Sequence, residues 1–211
     1  GCNGVDSVQV NVLPELTIFG DATVCEGNTT TYYGSGNANW TVSPAGPVIA
    51  GSPSSSVNIT WVPPGNYTIS ATPVNPSLFC NAVATFNVDV IAKPVLNNIV
   101  GADSVCPGDQ FTYQISSDVS GSPFVWSITN GSGIIHSEMG ADKDSVIVEW
   151  TSPGPWELSV YQEIEISPGI FCQSLVKTLT INPFLQPIIT GLNTVCVDAS
   201  ETYSAGGSNP G

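Results

Sequence analysis

Residues 18–25 read IFGDATVC, and this stretch decides the fold because the chain repeats it. The pattern returns as IVGADSVC at 99–106 and as ITGLNTVC at 189–196, at spacings of 81 and 90 residues (99 − 18 and 189 − 99). A tyrosine stands seven residues after the cysteine in every copy: Tyr32, Tyr113 and Tyr203. A pattern I-x-G-x-x-x-V-C-x6-Y that recurs three times without a slip indicates an internal structural repeat.

The rest of the repeat aligns in the same order. Residues 40–42 (WTV) match 126–128 (WSI), and residues 57–61 (VNITW) match 146–150 (VIVEW). A late Phe-Cys pair, at Cys80 and again at Cys172, precedes an alternating segment in each copy. We therefore divide the chain as follows: 1–14 is the last strand of a preceding repeat, 15–94 and 95–187 are whole repeats, and 188–211 opens a further repeat.

Composition predicts that each repeat is all-β. Val, Ile and Thr are abundant, while 21 Gly and 17 Pro are scattered through the chain and leave no convincing helical run. A unit of about 80–90 residues with about seven short alternating segments is typical of a two-sheet β-sandwich. In the first repeat we predict strands near 16–19, 22–25, 28–33, 38–42, 56–61, 66–72 and 82–91. Short linkers that contain Pro94 and Pro183 favour a semi-rigid, elongated rod.

The charge balance excludes two classes of partner. The chain has 17 Asp and Glu against 3 Lys and no Arg, which gives a net charge of −14. Nucleic acid and anionic membrane surfaces both require clustered basic residues, so we expect no nucleic-acid partner and no membrane-surface binding. The sequence has no apolar run near the roughly 18 residues of a membrane helix, and no signal peptide, so we expect no direct membrane insertion and a mature or internal piece of a longer chain.

These residues resemble a known family, the PKD-like (immunoglobulin-like) repeats of very long secreted surface proteins in Bacteroidetes-type bacteria. The resemblance rests on G-x-x-x-V-C-x-G (20–27 and 101–108), the strands that contain Trp40 and Trp61, and the late cysteine before a closing V-x-V strand. The third copy departs from it, with Asp198 in place of the last glycine. Such repeats are similar to those of gliding-motility adhesins and other cargo of the type IX secretion system. The resemblance implies an extracellular stalk or adhesin filament anchored at the outer membrane.

The six cysteines indicate disulfides formed outside the cytosol, and a structural zinc site is a poor second. Pairing within each repeat joins Cys25 to Cys80 and Cys106 to Cys172. Pairing between repeats joins Cys25 to Cys172, because the end where one sandwich finishes lies beside the start of the next. Pairing in chain order joins Cys2 to Cys25 and Cys80 to Cys106. The sequence leaves all three pairings open.

The sequence shows no residue arrangement that is typical of an enzyme active site. The one histidine, His136, has no partner in a triad arrangement, and we interpret it as a strand or loop residue. Glu163 and Glu165 lie on one face of a predicted strand and are more typical of a solvated face than of a glycosidase. A loop with Asp142 and Asp144 has too few oxygen ligands for a calcium site. We predict no catalytic residue, no cofactor and no metal site.

The Trp residues and three serines are candidates for surface roles. The five Trp residues are interpreted as core residues, because Trp40 and Trp61 recur as Trp126 and Trp150 and Trp156 replaces Tyr67, although exposed ones would suit sugar stacking. Asp-Ser-Val occurs three times and resembles the O-glycosylation motif of such bacteria; the candidate acceptors are Ser7, Ser104 and Ser145.

We therefore expect a non-catalytic repeat region of a secreted adhesin or filament, with a role in adhesion and in gliding motility. Its expected partners are neighbouring repeats of the same long chain, the secretion and outer-membrane anchoring machinery, and surface polysaccharide. The alternative is an accessory spacer or carbohydrate-binding module of a secreted hydrolase.

Overall fold

The computed structural model describes residues 8–151, 154–184 and 188–206, and the predicted all-β fold is confirmed. The only helical segment in those ranges is a 3₁₀ turn, Pro76–Leu78. The chain forms two compact units. Unit 1 contains the described residues up to Lys93 together with Glu165–Cys172, and unit 2 contains those of Pro94–Ile164 and those from Gln173 onward. Residues 165–172 thus belong to the second repeat in sequence and to unit 1 in structure.

Unit 1 is built on one folded sheet in the order β2-β7-β6-β3-β5-β4, with β1 paired to β3. Its strands are β1 Ile18–Phe19, β2 Thr23–Cys25, β3 Thr29–Ser43, β4 Val48–Ala50, β5 Ser54–Thr60, β6 Gly65–Pro73 and β7 Ala84–Ile91. The pairing of β2 with β7 is parallel, whereas β6 and β7 pair antiparallel.

Strand β3 links the two layers of unit 1. Its first part, up to Tyr33, pairs with β5, and its second part, from Ala38, pairs with β6. The sequence predicts two strands, near 28–33 and 38–42, and the structure instead shows one continuous strand. Aromatic rings pack directly on two glycines of this strand. A Cβ on Gly36 would collide with Phe79, and a Cβ on Gly34 would press on Trp40. The absent side chains let these rings close over the strand.

The second repeat has two separate sheets, as a β-sandwich requires. One has the order β10-β13-β15-β8 with β14 on β13, and the other has the order β11-β12-β9. The strands are β8 Ser104–Val105, β9 Gln110–Gln114, β10 Phe124–Asn130, β11 Gly133–Met139, β12 Ser145–Trp150, β13 Trp156–Ser167, β14 Ile170–Gln173 and β15 Lys177–Pro183. A hairpin of β16 Ile188–Thr190 and β17 Ser204–Gly206 follows.

Aromatic side chains fill both cores. In unit 1 the rings of Tyr32 and Trp61 meet edge to face, with centroids 5.8 Å apart. In unit 2 Tyr113 and Trp150 repeat this contact at 6.1 Å. Trp156 stacks on Trp150 with centroids 5.4 Å apart. All five Trp residues are buried, with at most 6% of their surface exposed, as core packing predicts.

Residues 8–14 form no strand in the structure, and Val8 and Val10 are 87% and 75% exposed. Within the described ranges, no helix is long and apolar enough to cross a membrane.

Candidate functional site

The strongest chemical feature of the structure is a disulfide between Cys25 and Cys172. Their Cα atoms are 5.5 Å apart, across 147 positions of sequence. Both side chains are buried, at 2% exposure for Cys25 and 0% for Cys172. Cys25 belongs to the first sequence repeat and Cys172 to the second, so the bond covalently joins the two repeats. Of the three pairings that the sequence leaves open, the structure contains the one between repeats.

A hairpin of the second repeat delivers Cys172 to this position. Strands β13 and β14 turn at Gly169, whose φ of +78° is readily adopted only by glycine. The Gly169 N–H donates to Glu165 Oε1 at 2.9 Å and closes the turn. The Cys25 Sγ then lies 3.4 Å from the carbonyl oxygen of Phe171. The side chain of Glu165 therefore stabilises this turn, and the described contacts do not pair it with Glu163.

A tight turn positions Cys25 from the other side. The Gly27 N–H donates to Trp61 O at 2.7 Å, and the Asn28 N–H donates to Cys25 O at 3.2 Å. Gly27 has a φ of +77°, which explains the glycine two residues after the cysteine.

The same turn follows the cysteine of the second and third copies. Gly108 has a φ of +91°, and Asp109 N–H donates to Cys106 O at 3.4 Å. In the third copy Asp198 has a φ of +69°, and Ala199 N–H donates to Cys196 O at 3.1 Å. Aspartate is one of the few non-glycine residues that enter this left-handed region readily. The substitution of the repeat's glycine by Asp198 therefore leaves the turn intact.

In every copy of the repeat motif, the ring of the tyrosine packs directly on the glycine. A Cβ on Gly20 would collide with the ring of Tyr32, and the same holds for Gly101 with Tyr113 and for Gly191 with Tyr203. The hydroxyl then bonds the residue that follows the glycine: Tyr32 Oη donates to Asp21 O at 2.8 Å, and Tyr203 Oη donates to Leu192 O at 2.7 Å. This contact explains why both residues recur with fixed spacing in the sequence.

Burial perturbs two of these phenols. Removal from water raises the pKa of Tyr32, and the charge of Asp21 raises it further. Burial also raises the pKa of Tyr113, against a smaller lowering by the hydrogen bond from Trp150. The Trp150 Nε1–H donates to Tyr113 Oη at 3.0 Å. These tyrosines are therefore neutral structural groups at physiological pH.

Pairing within the repeat, Cys25 with Cys80, is wrong for a geometric reason. Cys25 lies opposite Ile91, the last residue of β7, whereas Cys80 precedes the first residue of β7 and its N–H donates to Pro14 O at 3.0 Å. The 8 residues of β7 span roughly 25 Å at about 3.3 Å per residue, whereas a disulfide allows about 7 Å between Cα atoms. The cysteines thus lie towards opposite ends of that strand.

The remaining described cysteines carry free thiols: Cys80 and Cys196 are exposed and Cys106 is partly exposed. The predicted pairs Cys106 with Cys172 and Cys80 with Cys106 are accordingly absent from the structure. Cys2, assigned to Cys25 by pairing in chain order, lies outside the described residues.

The candidate glycosylation sites differ in exposure. Ser7 lies outside the described residues. Ser104 is partly exposed on β8, and its Oγ donates to Asp103 Oδ1 at 3.4 Å. Ser145 is 7% exposed in β12, and its Oγ is buried without a hydrogen-bond partner. A sugar on Ser145 therefore requires the strand to open, whereas Ser104 is accessible as folded.

The other polar residues singled out from the sequence have structural roles. His136 lies on β11 and its Nε2 is 2.7 Å from Glu149 Oε2 on the neighbouring strand. Asp142 accepts a bond from Gly121 N–H at 2.8 Å and so holds a loop. The described residues contain no group of three His, Cys, Asp or Glu side chains placed to hold a metal ion, and Asp144 joins none.

Sequence reasoning missed Gln162, a fully buried polar residue on β13. Its Nε2 donates to Ser122 O at 2.8 Å and to Val119 O at 3.2 Å. The amide thereby fixes the insertion that separates β9 from β10, at the place where unit 1 has the continuous β3. A glutamine in an alternating strand looks like a solvated residue, so the pattern carries no signal for this role.

Comparisons with known proteins find similarity at the level of solved structures. No protein-family model matches the chain, and no curated protein matches it. A C-terminal 282-residue fragment of intimin, solved in complex with the intimin-binding domain of the translocated intimin receptor, is 17% identical and has a TM-score of 0.46; the match covers 84% of this chain and 66% of that one. Murine CEACAM1b is 17% identical with a TM-score of 0.33, covering 80% and 100% of the two chains. The fibronectin(III)-like modules of Clostridium thermocellum CbhA are 12% identical with a TM-score of 0.38, covering 79% and 94%.

Proposed function

We propose that this chain is a non-catalytic repeat region of a secreted cell-surface adhesin or filament. In this proposal the repeats act as a stalk that carries an adhesive part away from the cell, and the stalk serves adhesion and gliding motility. The observation that carries it is the Cys25–Cys172 disulfide, because it joins two successive sequence repeats covalently. A bond of that kind reinforces a chain under tension and is chemically stable only outside the reducing cytosol.

The repeated packing units support the same role. Three copies share the glycine-tyrosine contact and the turn after the cysteine. Most of the Trp and Tyr residues that could stack on sugars pack in the cores instead. Trp61, Trp150 and Trp156 are fully buried. These residues make modules that are stable in themselves and similar to one another, which is what a spacer needs.

Charge and composition suit exposure to the medium. A net charge of −14 over 211 residues keeps neighbouring filaments apart. With 3 Lys and no Arg, the chain offers few bonds to trypsin-like proteases. The resemblance to PKD-like repeats of type IX cargo adds the location: extracellular, anchored to the outer membrane, with the secretion and anchoring machinery and surface polysaccharide as partners.

An antibody against the 211-residue chain tests the proposal on the source cells. We expect it to label intact cells, and on a reducing gel of surface proteins to detect a parent polypeptide many times the 21.9 kDa of this chain. Removal of the labelled protein should impair attachment of cells to a surface. A parent band that carries hydrolase activity in a polysaccharide-containing gel would instead identify the repeats as spacers or carbohydrate-binding modules of an enzyme. Exclusively intracellular labelling would refute both roles.

A further inference from the structure

Cys106 occupies the same structural position as Cys25. Cys25 ends, and Cys106 directly follows, a short strand that pairs in parallel with the last strand of its repeat: β2 with β7, and β8 with β15. The turn that follows is the same, since Gly108 N–H donates to Trp150 O at 2.7 Å just as Gly27 N–H donates to Trp61 O at 2.7 Å. Cys25 is bonded, whereas Cys106 is partly exposed with a free thiol.

Cys80 is the sequence counterpart of Cys172. Both follow a phenylalanine and precede the last strand of their repeat. Cys80 lies between β6 and β7, and Cys172 lies between β13 and β15. Cys172 is fully buried where it meets Cys25, while Cys80 is exposed at residues 13–14, with its Sγ against the carbonyl of Leu13. Among the described residues, the disulfide therefore joins one position of each kind, taken from successive repeats, and leaves Cys106 and Cys196 of the first kind and Cys80 of the second kind unpaired.

We propose that the disulfides of this protein form an offset series, in which the turn cysteine of each repeat bonds the late cysteine of the next repeat. Cys106 then bonds the late cysteine of the repeat that begins at β16 and β17, and Cys80 bonds the turn cysteine of a repeat before it. The inference rests on the tandem arrangement of the proposed function and adds to it the partner of each thiol. The third copy supports it, because residues 189–203 reproduce the glycine-tyrosine contact and the turn at Cys196.

The bond requires an oxidant, and the class that suits it is a protein disulfide donor acting outside the cytosol. One thiolate of the pair attacks the donor disulfide and forms a mixed disulfide. The second thiolate then attacks the protein sulfur of that mixed disulfide. The two thiols lose two protons and two electrons, the new S–S bond forms, and the donor leaves as a dithiol.

The offset makes successive bonds overlap along the chain. The Cys25–Cys172 bond spans every backbone position between those residues, including Lys143. A cut after Lys177 falls outside that bond, but it falls inside a bond from Cys106 to a later repeat. The offset series therefore keeps the chain joined after a cut at either lysine.

Peptide mapping of the full-length protein tests the series. The protein is isolated from cells with free thiols blocked by N-ethylmaleimide, digested with pepsin without reduction, and analysed by mass spectrometry. We expect the peptide with Cys106 to be linked to a peptide with a late aromatic-Cys pair of another repeat, and Cys25 to be linked to Cys172. Blocked Cys106, or Cys106 linked to Cys80, would overturn the series. Either of those results, found together with the Cys25–Cys172 link and surface location, would leave the proposed function standing.

Limited trypsin digestion of the same full-length protein gives an independent test. We expect that the pieces on either side of a cut after Lys177 migrate together on a non-reducing gel and separate after reduction. A Cys106→Ser variant should release them without reductant, while its Cys25–Cys172 link stays intact in the peptide map. If the two pieces of the unmodified, oxidised protein separated without reductant, the proposed bond from Cys106 would be refuted.

Discussion

Reduction of the Cys25–Cys172 bond should lengthen the chain that unfolds when it is pulled from its two ends. While the bond is intact, tension passes from Cys25 directly to Cys172, whose Cα atoms are 5.5 Å apart. The 147 positions of sequence between them carry no load. When the bond is reduced, these residues become part of the tensioned chain.

The length released follows from the loop. An extended chain spans about 3.3–3.6 Å per residue, so 147 residues contribute about 500 Å. Optical tweezers with handles at both termini measure the fully unfolded contour length with and without dithiothreitol. We expect a difference of about 500 Å between the two conditions.

A double variant separates this pairing from pairing within repeats. Cys25 with Cys80 and Cys106 with Cys172 would close loops of 55 and 66 residues (80 − 25 and 172 − 106), worth about 190 and 230 Å. Serine at both position 80 and position 106 removes these two pairs and leaves the Cys25–Cys172 bond in place. The variant should still gain about 500 Å on reduction. An equal contour length in both conditions would refute the assignment.

Three further results are expected. Gly20→Ala brings a Cβ into collision with the ring of Tyr32, and chemical denaturation should show that the free energy of unfolding falls by about 1–3 kcal/mol. Because burial raises the pKa of Tyr32 and Tyr113, the unfolded chain releases these protons first, so the denaturation midpoint should fall as the pH rises above about 10. In a Cys106→Ser variant of the 211-residue chain, a trypsin cut after Lys143, whose side chain is 50% exposed, should leave fragments joined until a reductant is added.

Each of these results has a control. An unchanged stability of Gly20→Ala would show that the glycine-tyrosine contact does not hold the strand. Phenylalanine at positions 32 and 113 should flatten the alkaline decrease, whereas Tyr33→Phe, at a side chain that is 56% exposed, should not. A Cys25→Ser change added to the Cys106→Ser variant should release the tryptic fragments without reductant. Fragments that stay joined in that double variant would place the link elsewhere.

Much of the fold is predictable because local pattern and global packing agree. The alternating segments near 66–72 and 82–91 correspond to β6 and β7, since their apolar positions face the core. Strand β4, Val48–Ala50, was missed because it is three residues long between Pro47 and Gly51. The sequence predicts two strands where β3 is continuous, because it shows the glycines between them but not the packing of Phe79 over Gly36.

The disulfide was predictable only as one of three alternatives. Sequence spacing fixes which cysteines are equivalent, but the partner depends on where the segment 165–172 lies after folding. That segment groups with unit 1. The turn at Gly169 is a local feature that the sequence can show, whereas the placement of the hairpin depends on contacts between residues distant in sequence.

The position of the Cys25–Cys172 bond indicates that it limits the extension of the chain more than it stabilises either sandwich. A loop of 147 residues would give about 5 kcal/mol by the chain-entropy relation, against about 4.7 kcal/mol for a loop of 100 residues. Extending the loop across a second repeat thus adds little stability, because the entropy grows only with the logarithm of its length. The load-free length, by contrast, grows in proportion to the loop. A disulfide placed across two repeats is therefore poorly explained as a stabiliser of either sandwich and well explained as a limit on extension. Each sandwich depends for its own stability on a core of buried Trp and Tyr.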